Sequence, residues 1–572
     1  MAGVAALRQI PGRHLALALG VATGRALSEE WRASGPYLWL TRQPAPDGFA
    51  LQPRDFRPTD ADAGRRVLAG VFTLAGATLT VGAGGDPWDR PSPSRAFAAA
   101  LHRFDWLPDL IAAGPDGAGE ALRLVLAWRR LFGRWNAFAW DPSIMARRVY
   151  NLACAGPTLT ARASDAETAQ IAADLARQAR VLLGPGGIAG AAERAVAAAV
   201  GGAALKGATG ARLLDRALGR ASRALAATVA VDGGHATRQG SAGLELLFDL
   251  ETLDEAMVQC GRAAPDAVQR AIDRLAAAVR FFTLADGGLA TGQGGRAWTA
   301  AYVGAVRAQD ETGDRPSESE LGGYQRMESR RLQVIADVAP PPSGPWSLEG
   351  SDSPLAIQVL VGRRRLIDPA AGRTLDNAST VRVGKRGLGR QLGGFAARVL
   401  GPRLVTTAQP MDVQRHTAPG AVWLDLSHHG WNGRYGLMHQ RRLYLDLEAG
   451  DLRGEDRLTP TARAQGPDGR HFVPYTLRFQ LHPGVSALVS QDQRSVLLRV
   501  EGEVGGWTLR NDTLDIEIEP SPRPDRPGQQ LVLRGQRRAD SGARVRWRLS
   551  PAHVPAAQVS TAPVEQVAHL QI

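Results

Sequence analysis

The chain changes its hydrophobic period partway along. From about residue 96 to 290, apolar side chains recur at helical spacing. Val268, Ile272, Leu275, Val279 and Phe282 make the cleanest stripe, at i, i+4, i+7, i+11 and i+14. Ile171, Leu175 and Leu182 make another, opened by the capping-box residues Ser164-Asp165-Ala166-Glu167 and closed by Gly184-Pro185. Leu122 to Trp135 reads as one helix. Asp141-Pro142 starts the next, with Asp as cap and Pro at the first helical position. Short Gly- and Pro-rich links favour antiparallel neighbours, so helical hairpins packed side by side or in a ring are predicted.

From about residue 324 the period drops to two. Leu332, Val334, Ala336 and Val338 alternate with other residues, as do Ile357, Val359 and Val361. So do Leu443, Leu445 and Leu447, and then Tyr475, Leu477, Phe479 and Leu481. Ile516 with Ile518, and Val545 with Trp547 and Leu549, are weaker examples. Many short alternating strands with Gly and Asp at the turns predict an antiparallel β-sandwich. The architecture read from this is an N-terminal segment over 1–95, a helical domain over 96–322 and a sandwich over 323–572. The N-terminal segment holds a small hairpin, Val71–Leu74 with Ala77–Val81 around Gly76, and is expected to pack on the helical domain. Residues 303–323 read as a polar linker or exposed loop at the boundary.

Composition narrows the partners. The net charge of +12 comes almost wholly from Arg, which suits an acidic polymer, a membrane surface or nucleic acid. No Lys/Arg block alternates with exposed aromatics, so nucleic acid ranks below an acidic glycan. A GC-rich genome also accounts for part of the Arg excess. Cys154 and Cys260 are far apart and sit in helical patterns, so buried free thiols are expected and no cysteine metal site can form. The run Leu15-Ala16-Leu17-Ala18-Leu19 after Arg8 and Arg13 is too short and Gly-broken for an export signal or a membrane span.

Candidate chemistry concentrates in Val231-Asp232-Gly233-Gly234-His235-Ala236-Thr237-Arg238-Gln239-Gly240-Ser241. A glycine pair lets backbone approach something closely, and a His, an Arg and an amide follow at the mouth of an apolar helix. The alternative is an interhelical loop in which Asp232 or Ser241 caps the next helix.

With these residues stand Arg103-Phe104-Asp105-Trp106-Leu107, Trp140-Asp141-Pro142, Arg147-Arg148-Val149-Tyr150-Asn151 and Gly323-Tyr324-Gln325-Arg326. Ser427-His428-His429-Gly430-Trp431, Arg434-Tyr435-Gly436-Leu437, Leu452-Arg453-Gly454-Glu455-Asp456 and Leu481-His482-Pro483 follow. This ordered set resembles the heparinase II/III-like polysaccharide lyases, in their alphaproteobacterial-type branch. The resemblance implies an incomplete (α/α) toroid followed by an antiparallel β-sandwich, with the site in the cleft between them. It implies β-elimination at a uronic acid of an acidic polysaccharide, in the periplasm or cell envelope, with the cytoplasm left open because no clear export signal is read. Such chemistry needs a group that neutralises the carboxylate, a base and an acid. His235, Tyr324 and Tyr302 are then the catalytic candidates. Arg238, Gln239, His428, His429 and Arg434 are the substrate-binding candidates.

The chain departs from the family pattern in three places. Gln239-Gly240 stand where Asn-Pro is usual, Trp346 to Ser353 lacks the usual histidines, and Gln480 replaces a His before His482-Pro483. No cofactor is therefore expected, and a family-type zinc site lacks ligands. A cation at His428, His439 and Asp425 is the one metal arrangement left open. Two functions stay open as well: an active lyase, and a non-catalytic relative that binds glycan or a cell-envelope partner.

Overall fold

The computed structural model describes residues 12–34, 36, 46, 48–310, 318–385, 387–406, 411–465, 471–503, 505–523 and 527–552. Arg8 and residues 311–317 of the polar boundary stretch lie outside them. Helices fill the first half, down to Ala300–Arg307, and strands fill the second, from Glu320–Leu321 to Ala543–Pro551.

The helix signals act where the chain carries them. Asp141 accepts from the Ser143 backbone N–H at 2.9 Å and starts Pro142–Thr160. Ser164 and Glu167 close a reciprocal capping box on Asp165–Leu182. The helix expected over Leu122 to Trp135 runs instead from Pro115 to Phe132, because Pro115 supplies a start and Gly133 the stop. The boundary stretch is not wholly loop: Thr299 caps a helix over Ala300–Arg307.

The Ala-rich helix Ala191–Ala204 is the hub of the helical half. It packs against Pro142–Thr160, Asp165–Leu182, Gly207–Thr228 and Gly240–Gln259. It is buried from Ala195 to Ala204. Small side chains permit this: a Cβ on Gly202 would sit 2.7 Å from the Leu214 nitrogen.

The N-terminal segment divides. The hairpin pairs Val71 with Thr80, and Phe72 meets Trp106 edge-on in the helical core. The helix Gly12–Ala33 instead packs Ala18 against Leu392, Ala396 and Leu400 of the sandwich half, and reaches the helical half through Arg32 over Trp135 at 4.7 Å. The expectation that the whole segment rests on the helical domain is corrected there. Cys154 and Cys260 are free and only half-buried.

Two antiparallel sheets form the sandwich. The outer sheet has eight strands, in the order Met411–Ala418, Ala421–His428, Leu437–Asp446, Asp451–Pro460, Ala543–Pro551, Trp507–Asn511, Ser495–Val500 and Val485–Val489. The inner sheet includes Phe472–Leu481, Ile357–Val361, Leu332–Asp337 and Tyr324–Glu328. Leu332–Asp337 and Ile357–Val361 are buried on both faces. Val334 and Val359 face the sandwich core, whereas Ile335 and Leu360 join the helical core. The inner sheet thus forms the wall on which the helical toroid sits.

Candidate functional site

The glycine pair serves close packing on both sides, Gly233 within the helical half and Gly234 at the junction with the sandwich. Gly233 has φ +92°, and a Cβ there would lie 2.2 Å from the Arg274 carbonyl oxygen. A Cβ on Gly234 would lie 2.8 Å from Gly322 Cα. Asp232 accepts from the Gly234 N–H at 2.9 Å and from the Gly322 N–H at 2.8 Å. Neither Asp232 nor Ser241 caps the helix Gly240–Gln259: its N-cap is Gln239, and Ser241 Oγ accepts from the Arg296 N–H at 3.0 Å.

Arg238 stands in the left-handed region at φ 59°, which aims its side chain across the junction. Its guanidinium donates to the carbonyls of Gly322 (3.1 Å), Gly323 (2.7 Å), Ala339 (3.0 Å) and Pro340 (2.9 Å), and to Asp337 Oδ1 (2.7 Å). Burial alone would lower its pKa, but Asp337 and Tyr324 outweigh it, so the charge is held firmly. A substrate carboxylate finds no spare donor here. The expected binding role is replaced by that of a clamp.

The neighbouring residues complete this clamp. Asp337 Oδ2 accepts from Gln293 Nε2 at 2.6 Å, and Gln239 donates to the Gln293 carbonyl at 2.8 Å. Gln239 is therefore a buried strut. Tyr324 is buried, donates to the Arg238 carbonyl at 2.9 Å and lies under its guanidinium at 4.8 Å. Burial, then Asp337, pushes its hydroxyl well above the ordinary phenol range.

His235 is 5% exposed. Its Nδ1 pairs with Thr237 Oγ1 at 2.7 Å, and its Nε2 faces Glu193 at 3.5 Å. Trp346 from the sandwich half meets the ring edge-on at 6.1 Å. Burial opposes ionisation of Glu193, yet the contact with His235 holds its carboxyl below the usual range. Sequence reasoning missed Glu193. Its only signal is a charge in an Ala run.

Tyr302 lies elsewhere, on the helical side. It stacks on Trp298 at 3.9 Å and donates to Glu245 Oε1 at 3.0 Å. Burial, then Glu245, raises its hydroxyl as well. Glu245 also holds Arg57 at 2.9 Å, and Arg57 and Arg147 both grip Asp249, at 2.7 and 3.0 Å. Asp105, beside this network, is pushed up to about 6 by burial against the pull of Arg103 and Arg147. Tyr302 is a candidate from sequence and Asp105 and Arg147 stand in the family-like motifs, but Arg57, Glu245, Asp249 and Trp298 were missed, because they come from separate stretches of the chain.

His428 and His439 form a separate cluster in the sandwich core. His428 is sealed in the sandwich core, its Nε2 3.1 Å from His439 Nδ1. His439 Nε2 meets Asp456 Oδ1 at 2.9 Å, and Arg441 and Trp547 donate to the same carboxylate at 2.7 and 3.0 Å. Burial, reinforced by His439, drives His428 well below the usual imidazole range. Asp425 points to the other face and pairs with Arg442, so the arrangement His428, His439 and Asp425 is not formed. Among the described residues, no group of three or more His, Cys, Asp or Glu is placed to hold a metal. The His429 carbonyl accepts from the Asn432 N–H at 3.0 Å, and Arg434 packs over Tyr435 at 5.5 Å.

Comparison with known proteins adds to this picture. Residues 312–548 match the family model described as heparinase II/III-like, C-terminal. The chain is 46% identical over 573 residues to FtsZ-localized protein C of Caulobacter vibrioides, covering 96% of this chain and 98% of that protein. A mutant heparan sulfate lyase HepC from Pedobacter heparinus shares 13% identity at a TM-score of 0.55, over 90% of this chain and 86% of its own. A heparinase III gene product shares 11% at a TM-score of 0.58, over 86% of this chain and 84% of its own. At such identities these two show the fold: a helical toroid followed by a β-sandwich.

Two outcomes are expected. Asp337→Ala leaves Arg238 buried without its counter-charge and lowers unfolding free energy by about 3 kcal/mol, read by urea denaturation; an unchanged midpoint contradicts the clamp. The second concerns acid. The folded pKa of His428 lies below its unfolded value, so the unfolded chain binds the proton first. Stability is intact above about pH 6.5 and falls as pH drops below it. His428→Gln should flatten that slope in denaturation midpoints; an equal slope in both proteins refutes it.

Proposed function

The chain belongs to the heparinase II/III-like family, and from that premise we propose that it is a non-catalytic member working in cell division at FtsZ. The observation that carries this reading is the 46% identity, along nearly the full length of both chains, to a protein named for its localization with FtsZ. The geometry supports the loss of elimination chemistry. Arg238 has no donor free for a carboxylate. Tyr324 and Tyr302 already donate their hydroxyls and are held protonated, which unsuits them as bases. His428 is out of reach of any substrate. The departures at Gln239-Gly240, Trp346–Ser353 and Gln480 point the same way.

This reading sets the protein in the compartment where FtsZ works, in place of the periplasm expected from family habit. Among the described residues, no helix is long and apolar enough to cross a membrane. The second reading, β-elimination or simple binding of an acidic glycan, is favoured by one feature. Arg296 lies 4.2 Å over Trp298, which stacks on Tyr302, so a cation and aromatic rings stand together on the helical side.

Co-sedimentation tests the proposal. The full chain should pellet with FtsZ polymers of its own organism in the presence of GTP, and remain in the supernatant without them. A chain that stays in the supernatant while the polymers pellet overturns it.

A further inference from the structure

The outward face of the eight-strand sheet carries one unusual row. Cross-strand register sets His416 opposite Trp423, Trp423 opposite Tyr444, and Tyr444 opposite Arg453. Arg453 then stands opposite Arg548, and Arg548 opposite Arg510. The row crosses six strands, roughly 24 Å at ordinary strand spacing.

Its first half is a stacked ladder. His416 and Trp423 lie 5.0 Å apart with planes 15° apart, Trp423 and Tyr444 6.1 Å and 26°, and Arg453 caps Tyr444 at 5.3 Å. Its second half sets three arginines side by side. The side chains of Arg453 and Arg548 are 48% and 55% exposed and share the buried Asp451. Like charges directly opposite one another destabilise a sheet. Arg457 opposite Arg544 repeats the arrangement nearby. Asp446 and Asp451 offset part of that repulsion and Glu455 pairs with Arg457, and an anionic partner relieves the rest.

We propose that this row is a docking surface for an acidic stretch of polypeptide, with carboxylates along Arg453, Arg548 and Arg510 and apolar side chains over Trp423 and Tyr444. Three observations favour polypeptide over other polyanions. The ring faces are turned on one another, which leaves edges rather than open faces for a base or a sugar to stack on. The adjacent row alternates in sign, with Arg442 on Asp425 and Arg546 on Glu455, so it breaks any uniform cationic track. Trp, Tyr and Arg are also the residues that dominate protein–protein hot spots. The proposal does not rest on the FtsZ reading and stands if that reading fails.

Fluorescence anisotropy of labelled poly(Glu,Tyr) on the full chain tests it, with labelled heparin and oligo(dT) beside it. Poly(Glu,Tyr) should bind, weakening with salt. Arg548→Glu with Arg510→Glu, and separately Trp423→Ala, should each weaken it at least about tenfold, with the thermal midpoint kept. Arg534→Glu, on the other sheet, should leave it unchanged. If the double variant loses its midpoint, Arg510→Gln alone is read in its place and should still weaken binding. Absence of binding, insensitivity to these changes, or tighter binding of heparin or oligo(dT) overturns the proposal.

Discussion

A buried guanidinium must have acceptors on every side, and Arg238 finds them only where the two halves of the chain meet. Its four carbonyl partners and Asp337 all come from the edge of the sandwich. Asp337 is in turn satisfied by Gln293 of the helical half, which also accepts from Gln239. Each half completes the hydrogen bonding of the other. The close contact of Gly234 with Gly322, the left-handed turn at Arg238 and the burial of Tyr324 follow from that single junction.

Much of this architecture is legible in the chain. The change of period near residue 324, the caps at Asp141 and Ser164, and the hairpin around Gly76 are local signals with local causes. Other features lie beyond local pattern. Leu332–Asp337 reads as a one-sided strand, yet Ile335 packs into the helical core. Arg238 and Asp337 are 99 positions apart, so only the folded chain shows that the arginine is committed. The placement of Asp425 could have been anticipated. It stands three residues before His428 on one strand, and such residues face opposite ways. His428 meets Asp456 through His439 instead, a contact that depends on cross-strand register.

A shared fold does not fix function, and what the junction can do depends on how its side chains are committed. In this chain Arg238, Gln239 and Tyr324 are bound to each other or to backbone, and Tyr302 to Glu245, while His235 Nε2 faces Glu193 at 3.5 Å. Arg238, Gln239 and Tyr324 tie the junction together. The outer sheet of the sandwich meanwhile leaves an arginine–aromatic face exposed.

The most direct measurement of the central claim is ultraviolet absorbance of unsaturated uronate, taken with folded protein across heparin, heparan sulfate, hyaluronan, chondroitin, alginate and bacterial exopolysaccharides. The account predicts a flat trace on every one. A steady rise on any of them, abolished by His235→Ala, would contradict it and return the cleft to catalysis.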